Sequence, residues 1–175
     1  MRSSKRYSNA TFTKRVDHEG RGKHRPTRSP AEPLVCEQCG AEFRHRRWVL
    51  AHTPVRAQKS AAGLIPPRPT ICPACTQMRS GVPSGYLRVS GGFYAAHRAE
   101  IEQLLLNEAK RTAEDNPLAR LMRWEGVRGH ELALSTTTEH LAQRLGHALE
   151  KAFGGEVRYD FSHENKVARV DWRRD

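Results

Sequence analysis

Downstream of residue 90 the apolar positions recur with two different periods, and their succession predicts helix, two strands, helix, two strands. After Ser90-Gly91-Gly92, the side chains of Phe93, Ile101, Leu104 and Leu105 fall on one helical stripe, with Glu100, Glu102, Glu108, Lys110 and Arg111 off it. Asn116-Pro117 ends this helix, because the proline ring disfavours helical backbone at the residue before it. Two short strand-like runs follow, near Leu121 to Val127 and Glu131 to Ser135, divided by Arg128-Gly129. Thr136-x2-Glu139 has the form of a capping box that opens a second helix. The stripe of that helix is Leu141, Leu145, Ala148, Leu149 and Ala152, and Gly154 closes it. The last two segments alternate strictly: Val157, Tyr159 and Phe161 on one face of the first, Ala168, Val170 and Trp172 on one face of the second, joined at His163-Glu164-Asn165. This order predicts an α+β domain over residues 89–175, a small antiparallel four-stranded sheet with helices on one face. It has neither a Gly-x-x-Gly nucleotide clamp nor an aromatic-rich RNA-binding motif, so its surface reads as scaffold or protein-contact surface.

Upstream the periodicity disappears. Residues 1–33 hold few apolar side chains among Gly, Pro, Ser and charge, the composition of an extended, disordered arm that orders only on a partner. Residues 34–88 form a separate small module whose one plausible regular element runs from Phe43 to Leu50. Pro54 and the run Ile65-Pro66-Pro67-Arg68-Pro69 predict a surface loop over 53–69.

That module holds all four cysteines of the chain, as Cys36-Glu-Gln-Cys39-Gly and Cys72-Pro-Ala-Cys75, with 32 residues between the pairs. A Cys-x2-Cys turn sets two thiolates on one side of a tight knuckle, and two knuckles face to face make the tetrahedral sulfur cage that Zn²⁺ prefers. Gly40 lets the backbone fold back toward sulfur and Pro73 stiffens the second knuckle. A pair of redox dithiols is the competing reading, but such a motif comes singly, at a helix start after a strand, and neither pair is expected to have that setting. The expected ligands of one structural zinc per chain are therefore Cys36, Cys39, Cys72 and Cys75. A histidine-containing set is also weighed: Cys36-x2-Cys39-x12-His52 half-matches a two-Cys, two-His finger. Arg56, Ala57 and Gln58 stand where its second histidine would fall, so the second Cys pair completes the set better. His45 and His52 then read as solvated or phosphate-facing.

Charge sharpens the picture. Of a net +11 over 175 residues, residues 1–30 contribute nine Lys/Arg against two acids, residues 31–80 seven against three, and residues 81–175 fourteen against fourteen. An excess confined to an arm and the adjoining zinc module suits a polyanion, because each cation near a phosphate releases condensed counterions. A merely solubilising tail would be acidic or lysine-rich; this one is arginine-rich, with Tyr7 and Phe12 available for stacking. The candidate RNA contacts are Arg2, Lys5, Arg6, Tyr7, Lys14, Arg15, Arg21, Lys23, Arg25 and Arg28 in the arm, and Arg44, Arg46, Arg47 and Trp48 in the module. For Trp48, packing over the small zinc core competes with stacking on a base. No apolar run reaches signal-peptide or membrane-span length, and reduced cysteines suit the cytoplasm. The start shares the Arg and Ser richness of transit peptides, but Asp17, Glu19, its glycines and its prolines break that pattern.

The run Cys36-Glu-Gln-Cys39-Gly, then Thr70-Ile-Cys72-Pro-Ala-Cys75, then a small α/β unit ending in Lys166-Val-Ala-Arg-Val resembles a family of small bacterial proteins with the same order of parts. Its architecture is also similar to the N-terminal half of the archaeal and eukaryotic export adaptor of the large ribosomal subunit. That adaptor carries four Cys pairs where this chain has two, so one of its zinc sites has no counterpart and its subunit contacts do not transfer. The resemblance implies binding to ribosomal RNA or a ribosomal subunit, with ribosomal proteins as further contacts, in assembly, hibernation or quality control. A DNA-binding regulator using the zinc module, and an adaptor whose arm docks on an acidic protein, are the alternatives; a regulator needs a recognition helix, and none stands out. No Gly-x-Ser-x-Gly elbow, phosphate-binding glycine loop or His-Glu-x-x-His occurs, and a closed four-sulfur zinc leaves no open coordination position. The expected protein is non-enzymatic, without small-molecule substrate or membrane partner.

Overall fold

The computed structural model describes residues 34–44, 46–50, 58–60, 63–65, 67–127, 130–162 and 166–175. The basic arm lies outside the described residues. In the N-terminal module, β1 (Leu34–Cys36) and β2 (Glu42–Arg44) flank the first Cys pair, and β3 (Arg47–Val49) returns along β2. The segment from Phe43 to Val49 is thus a hairpin. β4 (Gln58–Ser60) and β5 (Gly63–Ile65) form a second, isolated hairpin, and β6 (Arg68–Thr70) pairs in parallel with β1. The resulting sheet has the order β3-β2-β1-β6. The proline-bearing segment expected as a loop therefore contains three short strands. Pro69 is tolerated in β6 because that strand lies at a sheet edge. Helix α1 (Pro73–Ser80) then grows out of the second Cys pair and stops at Gly81, whose φ of 66° is the left-handed closure that glycine adopts without strain.

The C-terminal domain has a mixed sheet of five strands rather than an antiparallel sheet of four. The additional strand is β7 (Gly85–Ser90), followed by α2 (Gly92–Ala96), α3 (Arg98–Asp115), β8 (Leu121–Val127), β9 (Glu131–Thr136), α4 (Glu139–Phe153), β10 (Glu156–Ser162) and β11 (Val167–Arg173). The order is β10-β11-β7-β9-β8, so β7 is central, parallel to β11 and antiparallel to β9. With Leu87 and Val89 as its buried apolar pair and Tyr86 and Arg88 outward, β7 carries too short an alternation to stand out upstream of the glycines. The sheet begins at Gly85.

The remaining expectations fare unevenly. Strands β8 to β11 and the end of α3 before Pro117 fall where the pattern puts them. The first long helix is broken at His97 into α2 and α3. The cap of α4 is Thr138, whose hydroxyl accepts from the Leu141 amide at 3.3 Å; Thr136 ends β9 and is wholly buried.

Helix α4 lies across β7 and β11, and α3 packs against α4. Between them sit Leu87, Val89, Ile101, Leu105, Leu132, Leu141, Leu145, Leu149, Val170 and Trp172. Two glycines permit the close approach. A Cβ on Gly85 would lie 2.7 Å from that of Ala142, and one on Gly146 would lie 2.6 Å from Val170 Cγ1. Both distances are impossible for real side chains, so helix and sheet would have to separate. Among the described residues no helix is long and apolar enough to cross a membrane.

Candidate metal centre

The first knuckle is a turn closed on itself. Cys36 ends β1, its carbonyl accepts from the Gly40 amide at 2.8 Å, and its own amide donates to the Ala41 carbonyl at 2.8 Å. Gly40 has φ 72°, the left-handed conformation for which the sequence places a glycine there. The second knuckle is a helix start directly after β6, which corrects the expectation that neither pair has that setting; what speaks against a lone redox dithiol is that the first pair's sulfurs share the cage. Cys72 is the N-cap of α1, Pro73 occupies the first turn where a missing N–H costs nothing, and the Cys72 sulfur accepts from the Cys75 amide at 3.4 Å. Backbone bonds tie the two together: the Cys72 amide donates to Cys36 Sγ at 3.3 Å and the Glu37 amide to the Thr70 carbonyl at 2.9 Å.

The four sulfurs all lie within 4.8 Å of one another, and none is in a disulfide. Cys39 Sγ and Cys72 Sγ are 3.7 Å apart. A tetrahedron with metal–sulfur bonds of about 2.3 Å requires sulfurs about 3.8 Å apart, whereas a disulfide requires about 2 Å. The cage therefore has the dimensions for one metal ion. Cys36, Cys72 and Cys75 are buried, and Cys39 is the half-exposed corner. Ala41, Ala74 and Trp48 complete the buried shell, with Leu34, Phe43, Ile71 and Leu118 against it.

The electrostatics favour a cation. At Cys36, burial disfavours the thiolate, but the amides of Cys72, Cys39 and Gln38 donate to its sulfur and outweigh burial, lowering its pKa to about 6. At Cys72 and Cys75 burial dominates and pushes both thiols up; the neighbouring sulfurs add to this at Cys72. One negative charge is readily held, and further thiolates need a positive ion among them. The start of α1 adds its partial positive charge at Cys72 and Cys75.

The candidate RNA contacts separate in space. Arg46 and Arg47 sit exposed at the turn of the β2–β3 hairpin, Arg46 with φ 68°. Arg44 instead forms an ion pair with Glu42, whose side chain is buried. Trp48 packs over the cage: it is 9% exposed and meets Phe43 edge-on, centroids 5.5 Å apart. Apolar burial wins because Trp48 faces Phe43 directly across the hairpin. The arm contacts, and His45 and His52, lie outside the described residues.

One neighbour of the cage was not legible in the sequence. Arg120, from the loop between α3 and β8, places Nη1 3.7 Å from Cys75 Sγ. Burial acts to lower its pKa, but the hydrogen bond with Cys39 and the charges of Cys39, Cys75 and Cys72 outweigh this and raise it. Nothing in the spacing could reveal an arginine 45 positions from its sulfur. Comparison with known protein families, with curated proteins and with solved structures finds no match, so the geometry of the four-sulfur cage is what a functional reading has to build on.

Proposed function

We propose that this chain is a cytoplasmic, non-enzymatic zinc-ribbon protein that binds structured RNA, in the first instance on a ribosomal subunit. The observation that carries the reading is the closed cage of Cys36, Cys39, Cys72 and Cys75 at tetrahedral spacing. Four thiolates select zinc among common divalent ions and leave it no position for a substrate, so the metal's role is to hold the ribbon. The RNA part rests on charge: the excess of +11 is concentrated in the arm and this module, and Arg46 and Arg47 extend it from the rim of the hairpin. With Trp48 buried and Arg44 paired to Glu42, Arg46 and Arg47 make arginine–phosphate pairing this module's mode of contact, which favours recognition of shape over sequence.

A sucrose-gradient profile of the full chain at moderate salt tests this. The protein should travel with ribosomal particles, and Arg46→Ala with Arg47→Ala should weaken that association while leaving zinc content unchanged. Alanine bears about the same backbone cost as arginine at φ 68°, so the double variant removes charge without altering the turn. Deleting residues 2–30 removes nine basic side chains. RNA affinity should then fall steeply, and the slope of log affinity against log salt should flatten by about 0.7 to 0.9 per lost phosphate contact. Protein that stays at the top of the gradient and protects a defined duplex DNA sequence would overturn the RNA reading in favour of a regulator.

A further inference from the structure

Arg120 is a half-buried cation with no carboxylate partner among the described residues. What it faces is sulfur, Cys75 Sγ at 3.7 Å from Nη1. Its position is fixed from the opposite side, by the C-terminal domain. Nε donates to the Pro117 carbonyl at 2.7 Å, the backbone amide donates to Thr137 Oγ1 at 2.8 Å, and the carbonyl accepts from the Thr137 amide at 2.9 Å. The Thr137 hydroxyl in turn donates to the Leu118 carbonyl at 2.5 Å, and Thr137 is itself buried between β9 and α4. The loop is thus pinned to the five-stranded domain at several points, and from there it presents Leu118 to the cage's apolar shell and a guanidinium to its thiolates.

Four thiolates around a divalent ion carry a net charge of about −2 in a shell that is mostly withdrawn from water. Such a charge is stabilised by charge-assisted donors, and an arginine held in place by its own hydrogen bonds provides them without a further ordering cost. Outer groups that donate to metal ligands tune both affinity and ligand reactivity. We propose that Arg120 is the outer-sphere cation of the metal centre: it offsets the charge of the tetrathiolate, quiets the nucleophilicity of the sulfurs it faces, and fastens the zinc module to the C-terminal domain. The inference rests on the zinc reading above and goes beyond it, since it assigns part of the metal site to the other domain.

The test uses the zinc-loaded full chain and three variants: Arg120→Met, which keeps the bulk and loses the charge; Arg120→Lys, which keeps the charge and loses the fork; and Arg120→Gln. Zinc affinity is read by competition with a chromogenic chelator, and sulfur reactivity by the rate at which N-ethylmaleimide releases zinc to the dye. Arg120→Met should weaken zinc binding by about 10- to 100-fold and speed release several-fold, with Arg120→Lys restoring part of both. A residue that merely fills space would leave the alkylation rate of Arg120→Met unchanged. Should Arg120→Met fail to fold, Arg120→Gln is judged by the same two readings. Uptake of one zinc per chain, with the neutral variant matching the wild type in both readings, overturns this inference alone; a wild-type chain that takes up no zinc overturns the zinc reading as well.

Discussion

A Cys72→Ser chain should bind no zinc and lose the ribbon of β1, β2, β3 and β6, while the five-stranded domain stays folded. Each ribbon strand is only three residues long, and among the described residues the module's buried apolar side chains are Cys36, Cys72, Cys75, Ala41, Trp48 and Ala74, with a few partly covered neighbours. So little apolar surface cannot offset the entropy of ordering the segment, and metal coordination has to supply the difference, on the order of 10 kcal/mol. Cys72 is the most consequential of the four. Its sulfur accepts the Cys75 amide at the start of α1, its amide donates to Cys36 Sγ, and it is fully buried. Metal analysis should return one zinc per wild-type chain and none for the variant, and limited proteolysis should open cuts within 34–80 that the wild type resists. A Cys72→Ser protein that retains stoichiometric zinc and wild-type protease resistance would refute the assignment of the cage.

Trp172→Ala should be the most destabilising single change in the C-terminal domain. The indole is 0% exposed, donates Nε1–H to the Gly154 carbonyl at 2.8 Å, and meets Phe93 edge-on with centroids 6.4 Å apart. Truncation leaves a large cavity, at a cost of about 3 to 5 kcal/mol, and strips a partner from a carbonyl at the C-terminal cap of α4. Against the 5–15 kcal/mol of an ordinary domain, roughly, this should lower the thermal midpoint by about 15 °C or more. Leu106→Ala is the control: that leucine is 47% exposed and its loss should change stability by about 0.5 kcal/mol or less. Far-UV circular dichroism melts of the three zinc-saturated proteins decide the matter, and equal midpoints for Trp172→Ala and Leu106→Ala would remove Trp172 from the core.

The cysteines and the strongly patterned C-terminal segments were legible because their information is local. Two thiols three residues apart must share one turn whatever surrounds them, and strict alternation in Val157 to Phe161 and Ala168 to Trp172 sets the buried face of β10 and β11 before any partner is known. A proline after Asn116 ends a helix by sterics alone. Chain composition likewise shows that the charge excess is confined to the first part of the molecule.

Sheet order, by contrast, depends on which strands meet. The central strand β7 becomes recognisable only through its neighbours, Leu87 opposite Val170 on one side and Leu134 on the other, because two buried apolar residues do not make a pattern on their own. The same holds at the metal centre. That Trp48 points into the cage and Arg46 and Arg47 away from it follows from the cross-strand register of a hairpin, and that Arg120 faces Cys75 follows from how the loop after α3 is pinned to Thr137. The sequence by itself pointed to the four cysteines of the cage, the apolar faces of the helices and outer strands and the uneven charge along the chain, since each is carried by residue type, local spacing or composition. Only the tertiary structure decided the strand order, the inward turn of Trp48 and the arginine beside the thiolates, because pairing register and through-space charge are properties of segments far apart along the chain.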